Sequence, residues 1–356
     1  MQIGLLGLPR SGKTALFHAL TGGAHEGGGG GETHIAVIDV PDERFDRLVE
    51  VFKPKKATPA TLQVVDLAGF SAGEGKGLTP QMLARLGTTD ALCAVLRVFD
   101  DGSGDPPNPA GDLENLLLEM TLSDLQKVEN RLEKLPKQIM KLGGAERQAG
   151  EAELAVLGRI RPALEEGTPI RALALTDEEE PLIRGFQFLS LRPLLVVLNL
   201  GEGVDPAPHQ AALGPALAQH GTELIALNAE IEMEIAQLES EEDRRVFMED
   251  FGLTEPGRDR LIRRLNHLLG LVTFFTVSEK EVHAWPIPAG TPAQRAAGSI
   301  HSDLERGFIR AEVIHVDAFR ACGSSLAEAK RQGQLRIEGK TYLVQDGEIF
   351  HVLFSV

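Results

Sequence analysis

Residues 7–14 read G-L-P-R-S-G-K-T and fit the pattern G-x-x-x-x-G-K-[ST] without a mismatch. In such a loop the glycines, here Gly7 and Gly12, let the backbone curl until its N–H groups point inward at a phosphate. A lysine in the place of Lys13 reaches the β- and γ-phosphates of a nucleotide, and a hydroxyl in the place of Thr14 can bind Mg²⁺. The spacing therefore predicts a phosphate-binding loop.

The residues on either side of this loop place it between a strand and a helix. Residues 3–6 are typical of a short buried strand, and residues 15–20 are typical of a helix that opens at Thr14. A helix N-terminus adds its partial positive charge to a phosphate site. A glycine-rich turn that precedes a lysine by chance is the alternative, and the two flanking elements disfavour it.

A second motif, D-x-x-G, follows a predicted strand at residues 61–65; Asp66 begins it and Gly69 ends it. In nucleotide-binding domains of the G-protein type, this aspartate lies near Mg²⁺, usually through a water, and the glycine N–H faces the γ-phosphate. The next residue is Phe70, where many such domains place a glutamine that orients the attacking water. A side chain without a hydrogen-bonding group cannot position that water, so we expect slow hydrolysis or help from a partner.

Residues 199–202, N-L-G-E, follow a predicted strand at 193–198, where these domains carry the base-reading N-K-x-D. The aspartate of N-K-x-D accepts hydrogen bonds from guanine N1–H and from the exocyclic amine. Glu202 stands in its place here, and Leu200 replaces the lysine that packs along the base. A longer carboxylate is poorly placed for the paired guanine contact, so a preference for guanine should weaken. An ordinary strand-to-loop turn is the alternative, which the order of the motifs disfavours.

The composition limits the classes of protein to which the chain can belong. Its 356 residues are 42% hydrophobic and 25% charged, which is ordinary for a globular protein with room for two or three domains. No apolar run is long enough to span a membrane, and the first predicted strand leaves no space for a signal peptide. The only cysteines, Cys93 and Cys322, lie far apart and indicate a reducing compartment rather than disulfides or zinc. We therefore expect a cytoplasmic protein.

The net charge of −16 argues against non-specific DNA binding, since phosphate backbones attract basic surfaces. Two basic clusters remain, K-P-K-K at residues 53–56 and four arginines within residues 258–264. Either could form a local basic patch, although a solvated face is the favoured interpretation.

Strand-like apolar runs alternate with helical stretches over residues 1–100, the pattern of a parallel sheet wrapped by helices. Similar strand-like runs return after residue 190. The predicted strands span residues 3–6, 36–40, 61–65, 92–98, 193–198 and 223–227.

Long helices are predicted between these two groups of strands, from residue 112 onward. Apolar residues recur there at spacings of three and four, and Gly143-Gly144 interrupts the pattern. The first apolar stripe consists of Leu118, Leu122, Leu125, Val128, Leu132, Leu135, Ile139 and Leu142. We expect an antiparallel helical hairpin in which Pro136 kinks the first helix or ends it early. The T-D-E-E of residues 176–179 should start another helix.

The chain becomes β-rich from about residue 273, with predicted strands at 281–285, 308–314, 341–344 and 349–356. Asp346-Gly347 is a hairpin turn signal that leads into the last of them. The region is predicted to be a small α+β module, within the usual size of a domain.

With these motifs in hand, the chain resembles the YchF / Obg-like ATPase family, a branch of translation-associated P-loop GTPases. The resemblance extends over nearly the whole chain. Beyond the loop, DLAGF and NLGE, it rests on PDERFDRLVEVFKPKKATPATLQVVDLAG, LTDEEEPLIRGFQFLS and NAEIEMEIAQL. The C-terminal stretches AAGSIHSDLERGFIRAEVI and YLVQDGEIFHVLF look like that family's TGS-type β-grasp domain.

The resemblance implies an α/β fold: a P-loop NTPase G domain with a parallel-type sheet, interrupted by a helical coiled-coil hairpin and followed by a small α+β β-grasp domain. The expected boundaries are 1–110 with 190–272 for the G domain, 111–189 for the hairpin and 273–356 for the TGS-like domain. It also implies Mg²⁺, a preference for ATP over GTP because the family carries N-x-x-E, and slow hydrolysis. The expected partner is the ribosome, at its large subunit, and the expected state is a monomer.

Carried over by position, the resemblance assigns roles to individual residues. The triphosphate would be held by Pro9, Arg10, Ser11, Gly12, Lys13, Thr14 and Ala15, with Gly69 at the γ-phosphate. Thr14 and Asp66 would hold Mg²⁺, and Lys13 would stabilise charge in the transition state. The base would be surrounded by Asn199, Leu200, Glu202, Asn228 and Ala229.

The chain departs from the family pattern in two places. Its loop reads P-R-S-G-K-T where the family has P-N-V-G-K-S, so Arg10 adds a cation beside the phosphates. The first switch region is shortened to GGGGGETHIAV at residues 27–37, without a clear equivalent of the threonine that completes Mg²⁺ coordination. Thr33 is the nearest candidate.

Three alternatives to an ATP-preferring switch remain open. A module of the same fold could sense nucleotide and scarcely hydrolyse it, which Phe70 and the glycine run favour. A GTP-binding protein of the same fold is the second. A small-molecule kinase shares the phosphate loop, but such kinases carry an arginine-bearing lid and lack the base-reading N-x-x-E.

Overall fold

The computed structural model describes residues 1–22, 34–66, 78–238 and 240–355. The chain divides into two compact units, residues 1–36 with 63–261 and residues 37–62 with 262–356. The domain boundaries expected from the sequence stay a prediction. Residues 37–62, expected in the G domain, are grouped with the C-terminal residues.

Twelve strands and fourteen α-helices lie within these described ranges. The strands are β1 Gln2–Leu6, β2 His34–Asp39, β3 Lys56–Thr58, β4 Thr61–Asp66, β5 Ala91–Val98, β6 Leu194–Leu200, β7 Glu223–Leu227, β8 Leu271–Val277, β9 Glu281–Pro288, β10 Phe308–His315, β11 Arg336–Glu338 and β12 Glu348–Phe354. The helices are α1 Lys13–Thr21, α2 Glu43–Phe52, α3 Pro80–Leu86, α4 Pro109–Ile139, α5 Gly144–Glu165, α6 Glu180–Ile183, α7 Ala207–Gln219, α8 Ala229–Gln237, α9 Glu241–Asp250, α10 Gly257–Leu268, α11 Ala293–Ile300, α12 Ser302–Arg306, α13 Val316–Ala321 and α14 Leu326–Arg331.

The first sheet has the strand order β2-β4-β1-β5-β6-β7. Neighbours from β4 through β7 pair in parallel, which confirms the α/β fold class with a parallel-type sheet. Its interior strands β5 and β6 are almost entirely buried, as expected of strands covered on both faces. The carboxyl ends of parallel strands meet at one edge of a sheet, so the loops after β1, β6 and β7 converge there, beside the end of β4.

The long helices α4 and α5 form the predicted hairpin. The connection between them is short, and Val128, Leu135 and Ile139 of α4 share a core with Leu157 and Ile160 of α5. As expected, α4 ends three residues after Pro136. A four-residue helix, α6, follows the predicted capping box.

The predicted apolar stripe of α4 is wrong at its start. Leu118 and Leu122 are 53% and 52% exposed, whereas Leu117 and Met120 are buried. The reason is that the first half of α4 packs into the core of the sheet and the second half packs against α5. One helix therefore buries different faces along its length, which a single periodic stripe does not capture.

The second unit contains a sheet with the strand order β11-β10-β12-β8-β9-β3. Strand β3 joins it by pairing in parallel with β9, with Lys56 opposite Glu281. The Arg44 guanidinium adds a further link, because it donates to Asp42 and to Asp346.

Two predictions for the C-terminal region are wrong. Residues 341–344 form no strand apart from a single bridge between Leu343 and Pro292, so Asp346-Gly347 turns the chain without closing a hairpin. The buried Glu348 carboxylate accepts hydrogen bonds from the Tyr342 hydroxyl and the Gln345 N–H, which takes the place of a strand ladder there.

None of the helices in the described ranges has the length and apolar character needed to cross a membrane.

Candidate functional site

The phosphate loop connects the end of β1 to the start of α1. Its backbone takes left-handed conformations at Arg10, where φ is 65°, and at Gly12, where φ is 82°. A Cβ at Gly12 would collide with Nδ2 of Asn199, and one at Gly7 would lie 2.6 Å from Oγ of Ser11 and 2.7 Å from the Val95 carbonyl oxygen. Close approach therefore requires glycine at both motif positions, and at Gly12 the left-handed backbone conformation requires it as well.

Asp66, at the end of β4, lies against this loop with its side chain 0% exposed. The Lys13 Nζ is 3.8 Å from its Oδ1, and within the described part of the chain neither carboxylate oxygen accepts a hydrogen bond. Burial raises the pKa of Asp66, and the charges of Lys13, His34 and His18 together with the Thr14 hydroxyl oppose this only in part. Lys13 is thus a cationic neighbour of Asp66 that does not donate a hydrogen bond to it.

The residues around Asp66 fit a magnesium ion. Asp66 and Thr14 offer oxygen ligands, which Mg²⁺ prefers, and the buried Oγ of Ser11 also has no hydrogen-bond partner among the described residues. The described ranges hold no cluster of three or more histidine, cysteine or acidic side chains arranged around a metal.

Asn199 links the phosphate loop to the far side of the site. It is only 4% exposed; its Nδ2 donates to the Ser11 carbonyl oxygen at 3.1 Å, and its Oδ1 accepts from the Ala229 N–H at 3.0 Å. Both ends of the amide are occupied by backbone groups. Asn199 therefore links the carboxyl end of β6 to the loop after β1 and to the start of α8, and its expected contact with a base stays a prediction.

Asn228 has a similar internal role. Its Oδ1 accepts from the backbone N–H groups of Glu230 and Ile231 at 3.0 and 3.1 Å, which caps the start of α8. Ala229 is fully buried, and its N–H is the one bonded to Asn199. The Asn228 side-chain oxygen and the Ala229 N–H are thus bonded within the protein, and the role of these two residues at the base stays a prediction.

A cavity of about 630 Å³ opens beside Asn199 and Asn228. It gathers residues from the loops after β1, β5, β6 and β7. The lining comprises Gly12, Ala15, Phe99, Asp100, Asn199, Leu200, Gly201, Glu202, Val204, Asn228, Glu230 and Met233. The cavity is large enough for a nucleoside.

The structure thus brings together the predicted residues Gly12, Ala15, Leu200 and Glu202 in one cavity. It adds residues that the motif analysis missed. These are Phe99, Asp100, Val204 and Met233. Phe99 and Asp100 directly follow β5, whose carboxyl end lies at the same edge as the motif-bearing strands, and that position is the signal that could have identified them.

Arg10 stands apart from this cavity lining. Its guanidinium is 3.6 Å from a carboxylate oxygen of Asp101, and the side chain is 66% exposed. Gly69, Phe70 and Thr33 lie outside the described residues, as do the glycine run and most of the first switch.

A parallel sheet whose first strand passes through G-x-x-x-x-G-K-T into a helix, with a buried aspartate at the end of a neighbouring strand, defines a P-loop NTPase. Known proteins agree with this class. The chain is 39% identical to "Ribosome-binding ATPase YchF" of Escherichia coli O157:H7, over 100% of this chain and 99% of that protein. It is 36% identical to the protein of that name from Bacillus subtilis, over 100% of both.

The likeness extends to a solved structure and to a family model. A structure titled "Structure of the Schizosaccharomyces pombe YchF GTPase" superposes with a TM-score of 0.87 at 28% identity, covering 99% of this chain and 97% of that one. Residues 271–355 match the family model YchF-GTPase_C, described as "Protein of unknown function (DUF933)". The chain belongs to the YchF family, which confirms the resemblance drawn from its motifs.

Proposed function

We propose that this P-loop NTPase binds ATP in preference to GTP, hydrolyses it slowly with Mg²⁺, and acts as a ribosome-associated switch. Nucleotide and metal binding are supported above all by the buried Asp66 carboxylate, which lies beside Lys13 and the phosphate loop without a hydrogen-bond partner among the described residues. The ribosome enters through the names of the relatives, which are ribosome-binding ATPases.

At the phosphate end of the site, positive charge and N–H groups stabilise the negative charge of the triphosphate. Backbone N–H groups within residues 10–15 surround the triphosphate, and Lys13 moves its ammonium from Asp66 toward the β- and γ-phosphates. Mg²⁺, held by Thr14 and near Asp66, supplies further positive charge to the phosphate oxygens. Hydrolysis is slow because Phe70 has no group with which to orient the attacking water.

At the base end, the proposal places adenine in the cavity beside Leu200 and Glu202. Both residues line it, at the positions where guanine-specific proteins carry lysine and aspartate. The longer Glu202 carboxylate disfavours the paired contact to guanine, so the site discriminates weakly against adenine and loses affinity for guanine.

We place the protein in the cytoplasm as a monomer, with the large ribosomal subunit as its partner. We also keep the three-part organisation into a G domain, a hairpin at 111–189 and a TGS-like domain at 273–356.

Co-sedimentation with purified ribosomal subunits tests the switch. With a non-hydrolysable ATP analogue, we expect the chain to sediment with the large subunit, and to remain in the supernatant without nucleotide. The Lys13→Ala variant should remain in the supernatant under both conditions. Equal sedimentation of both proteins with and without the analogue would refute a nucleotide-controlled association.

A module that senses ATP without hydrolysing it is the second candidate, favoured by Phe70. A turnover assay separates the two. Phosphate release that is measurable for the natural chain, absent for Lys13→Ala and faster with ribosomes supports the slow hydrolase. Tight ATP binding without release under any of these conditions supports the sensing module.

A further inference from the structure

Arg10 and Asp101 form an ion pair at the rim of the phosphate loop, and the two partners differ in how firmly they are held. Arg10 is 66% exposed, and the 3.6 Å between its nitrogen and the Asp101 oxygen is longer than a hydrogen bond. The Asp101 side chain is only 9% exposed. The pair therefore joins a loosely held cation to an enclosed anion.

Asp101 is fixed by its other contacts. Its carboxylate accepts from the Ser103 N–H at 3.1 Å and from the Ser103 hydroxyl, and it pairs with the Arg97 guanidinium at 2.6 Å. Arg97 is itself anchored, since it donates to the backbone carbonyl oxygens of Phe99 and Asp105. Asp101 would thus stay paired and enclosed if Arg10 moved away.

Arg10 is loosely held, and the proposed triphosphate site lies next to it. It lies three residues before Lys13 in the loop that is proposed to surround a triphosphate, and Asp100, the neighbour of Asp101, lines the cavity beside that loop. An exposed ion pair of this length contributes little to stability. A triphosphate carries several negative charges, and arginine binds phosphate oxygens with two parallel hydrogen bonds.

We propose that Asp101 competes with the nucleotide phosphates for Arg10, so that this carboxylate lowers the affinity of the site for triphosphates. The inference rests on the proposed nucleotide binding and adds a determinant of affinity to it. In the empty site Arg10 pairs with Asp101. In the occupied site Arg10 binds a phosphate oxygen, and Asp101 keeps Arg97 and Ser103.

A double-mutant cycle tests this competition, with Mg·ATP affinity measured by calorimetry for the natural chain, Arg10→Ala, Asp101→Asn and the double variant. Arg10→Ala should weaken binding by about 3- to 10-fold, the effect of one exposed charge-assisted contact. Asp101→Asn should tighten binding by about 3-fold, because an exposed pair contributes at most about that factor. In the double variant the Asp101 substitution should have no effect. Inorganic tripolyphosphate should give the same pattern, since the competition concerns phosphate alone.

Controls separate this effect from a change in net charge or fold. Asparagine still accepts from Ser103 and Arg97, so Asp101→Asn should fold cooperatively, with a thermal unfolding midpoint lowered only by the lost charge of the Arg97 pair. Asp317→Asn and Arg147→Ala make the same substitutions at exposed sites far along the chain and should leave the affinity unchanged.

Three outcomes would overturn the inference: unchanged affinity in Asp101→Asn, weaker binding in that variant, or equal tightening with and without Arg10. The last would indicate a general charge effect, and weaker binding would mean that Asp101 holds Arg10 in its productive position. A failure of the proposed function looks different. In that case the natural chain binds neither ATP nor tripolyphosphate, whatever residue 10 or 101 is.

Discussion

The two ends of the candidate site differ in how completely the protein satisfies its own polar groups. At the phosphate end, the Asp66 carboxylate and the Ser11 hydroxyl are buried and, among the described residues, without hydrogen-bond partners. At the base end, the side-chain oxygens of Asn199 and Asn228 accept hydrogen bonds from backbone N–H groups. Since buried polar groups are almost always paired, these groups support the proposal that a ligand binds at the phosphate end, whereas the asparagines of the base end also stabilise the fold.

Because the polar groups of the two ends differ in how many partners they have, we expect the two ends to contribute unequally to the binding free energy. Phosphates and a cation bring the missing partners to the phosphate end, so affinity should depend most on residues there. At the base end the braced loops shape a cavity, and the residues free to discriminate are those of its lining, above all Leu200 and Glu202. Substitutions at the two ends should therefore change different measured quantities.

The largest effect is expected at the phosphate end, from Lys13→Ala. We expect ATP affinity to fall by at least about 100-fold, because one strong charge-assisted contact to the phosphates is lost. The thermal unfolding midpoint should change little, since the 3.8 Å contact between Lys13 and Asp66 is weak. Calorimetry and thermal melts measure both, with the exposed Lys137→Ala as the matched control. Retained affinity would refute the loop assignment.

Asn199→Ala should affect both affinity and stability, because this residue connects the two ends. Its loss leaves the buried Ala229 N–H and the Ser11 carbonyl oxygen without a partner, at a cost of about 2 kcal/mol in the free energy of unfolding. ATP affinity should fall by about 10-fold as the loops loosen. Denaturant titration and calorimetry check the two effects. A variant with natural stability and lower ATP affinity would show that Asn199 contacts the base instead.

Changing the cavity lining should alter the choice of base more than the overall affinity. The double variant Leu200→Lys with Glu202→Asp restores the guanine-reading pattern, so the ratio of ATP to GTP affinity should shift toward GTP by about 10-fold. Glu234→Asp makes one of these changes on the exposed side of α8 and should leave the ratio unchanged. An unchanged ratio in the double variant would mean that other cavity residues select the base.

The smallest effect concerns the stability of the nucleotide-free protein. Burial raises the pKa of Asp66 in the folded state, so its ionisation costs stability as the pH rises through that pKa. Asp66→Asn should therefore raise the free energy of unfolding by about 1 kcal/mol at pH 8, with the difference fading as the pH falls through the raised pKa and the carboxyl becomes protonated. Thermal melts across this range check it. If Asp66→Asn were less stable than the natural chain at pH 8, the carboxylate would have a stabilising partner beyond those seen among the described residues.

The phosphate end could be predicted from the sequence because its residues are contiguous and their spacing is set by one loop. Lys13, Thr14 and the preceding strand all follow from a single motif, and Asp66 from the strand that it ends. At the base end, the motif predicted the position of the residues but not their hydrogen bonds. That Asn199 bonds the backbone at residues 11 and 229 depends on contacts between segments far apart in the chain.

The errors in the helices and strands have the same origin. Leu118 belongs to a correct helical period, yet it is exposed because α4 packs first on the sheet and then on α5. Residues 341–344 have the apolar character of a strand, but the buried Glu348 organises that stretch through Tyr342 and Gln345. Local patterns predict that an element is amphipathic, whereas its partners decide which face is buried.

The most direct test of the account is a pair of calorimetric titrations of the natural chain, one with Mg·ATP and one with Mg·GTP. The phosphate end should bind both nucleotides, and the cavity beside Leu200 and Glu202 should make ATP bind more tightly. Tighter binding of GTP would contradict the interpretation of the base end. No binding of either nucleotide would contradict the interpretation of Asp66 and the phosphate loop as a site that awaits a ligand.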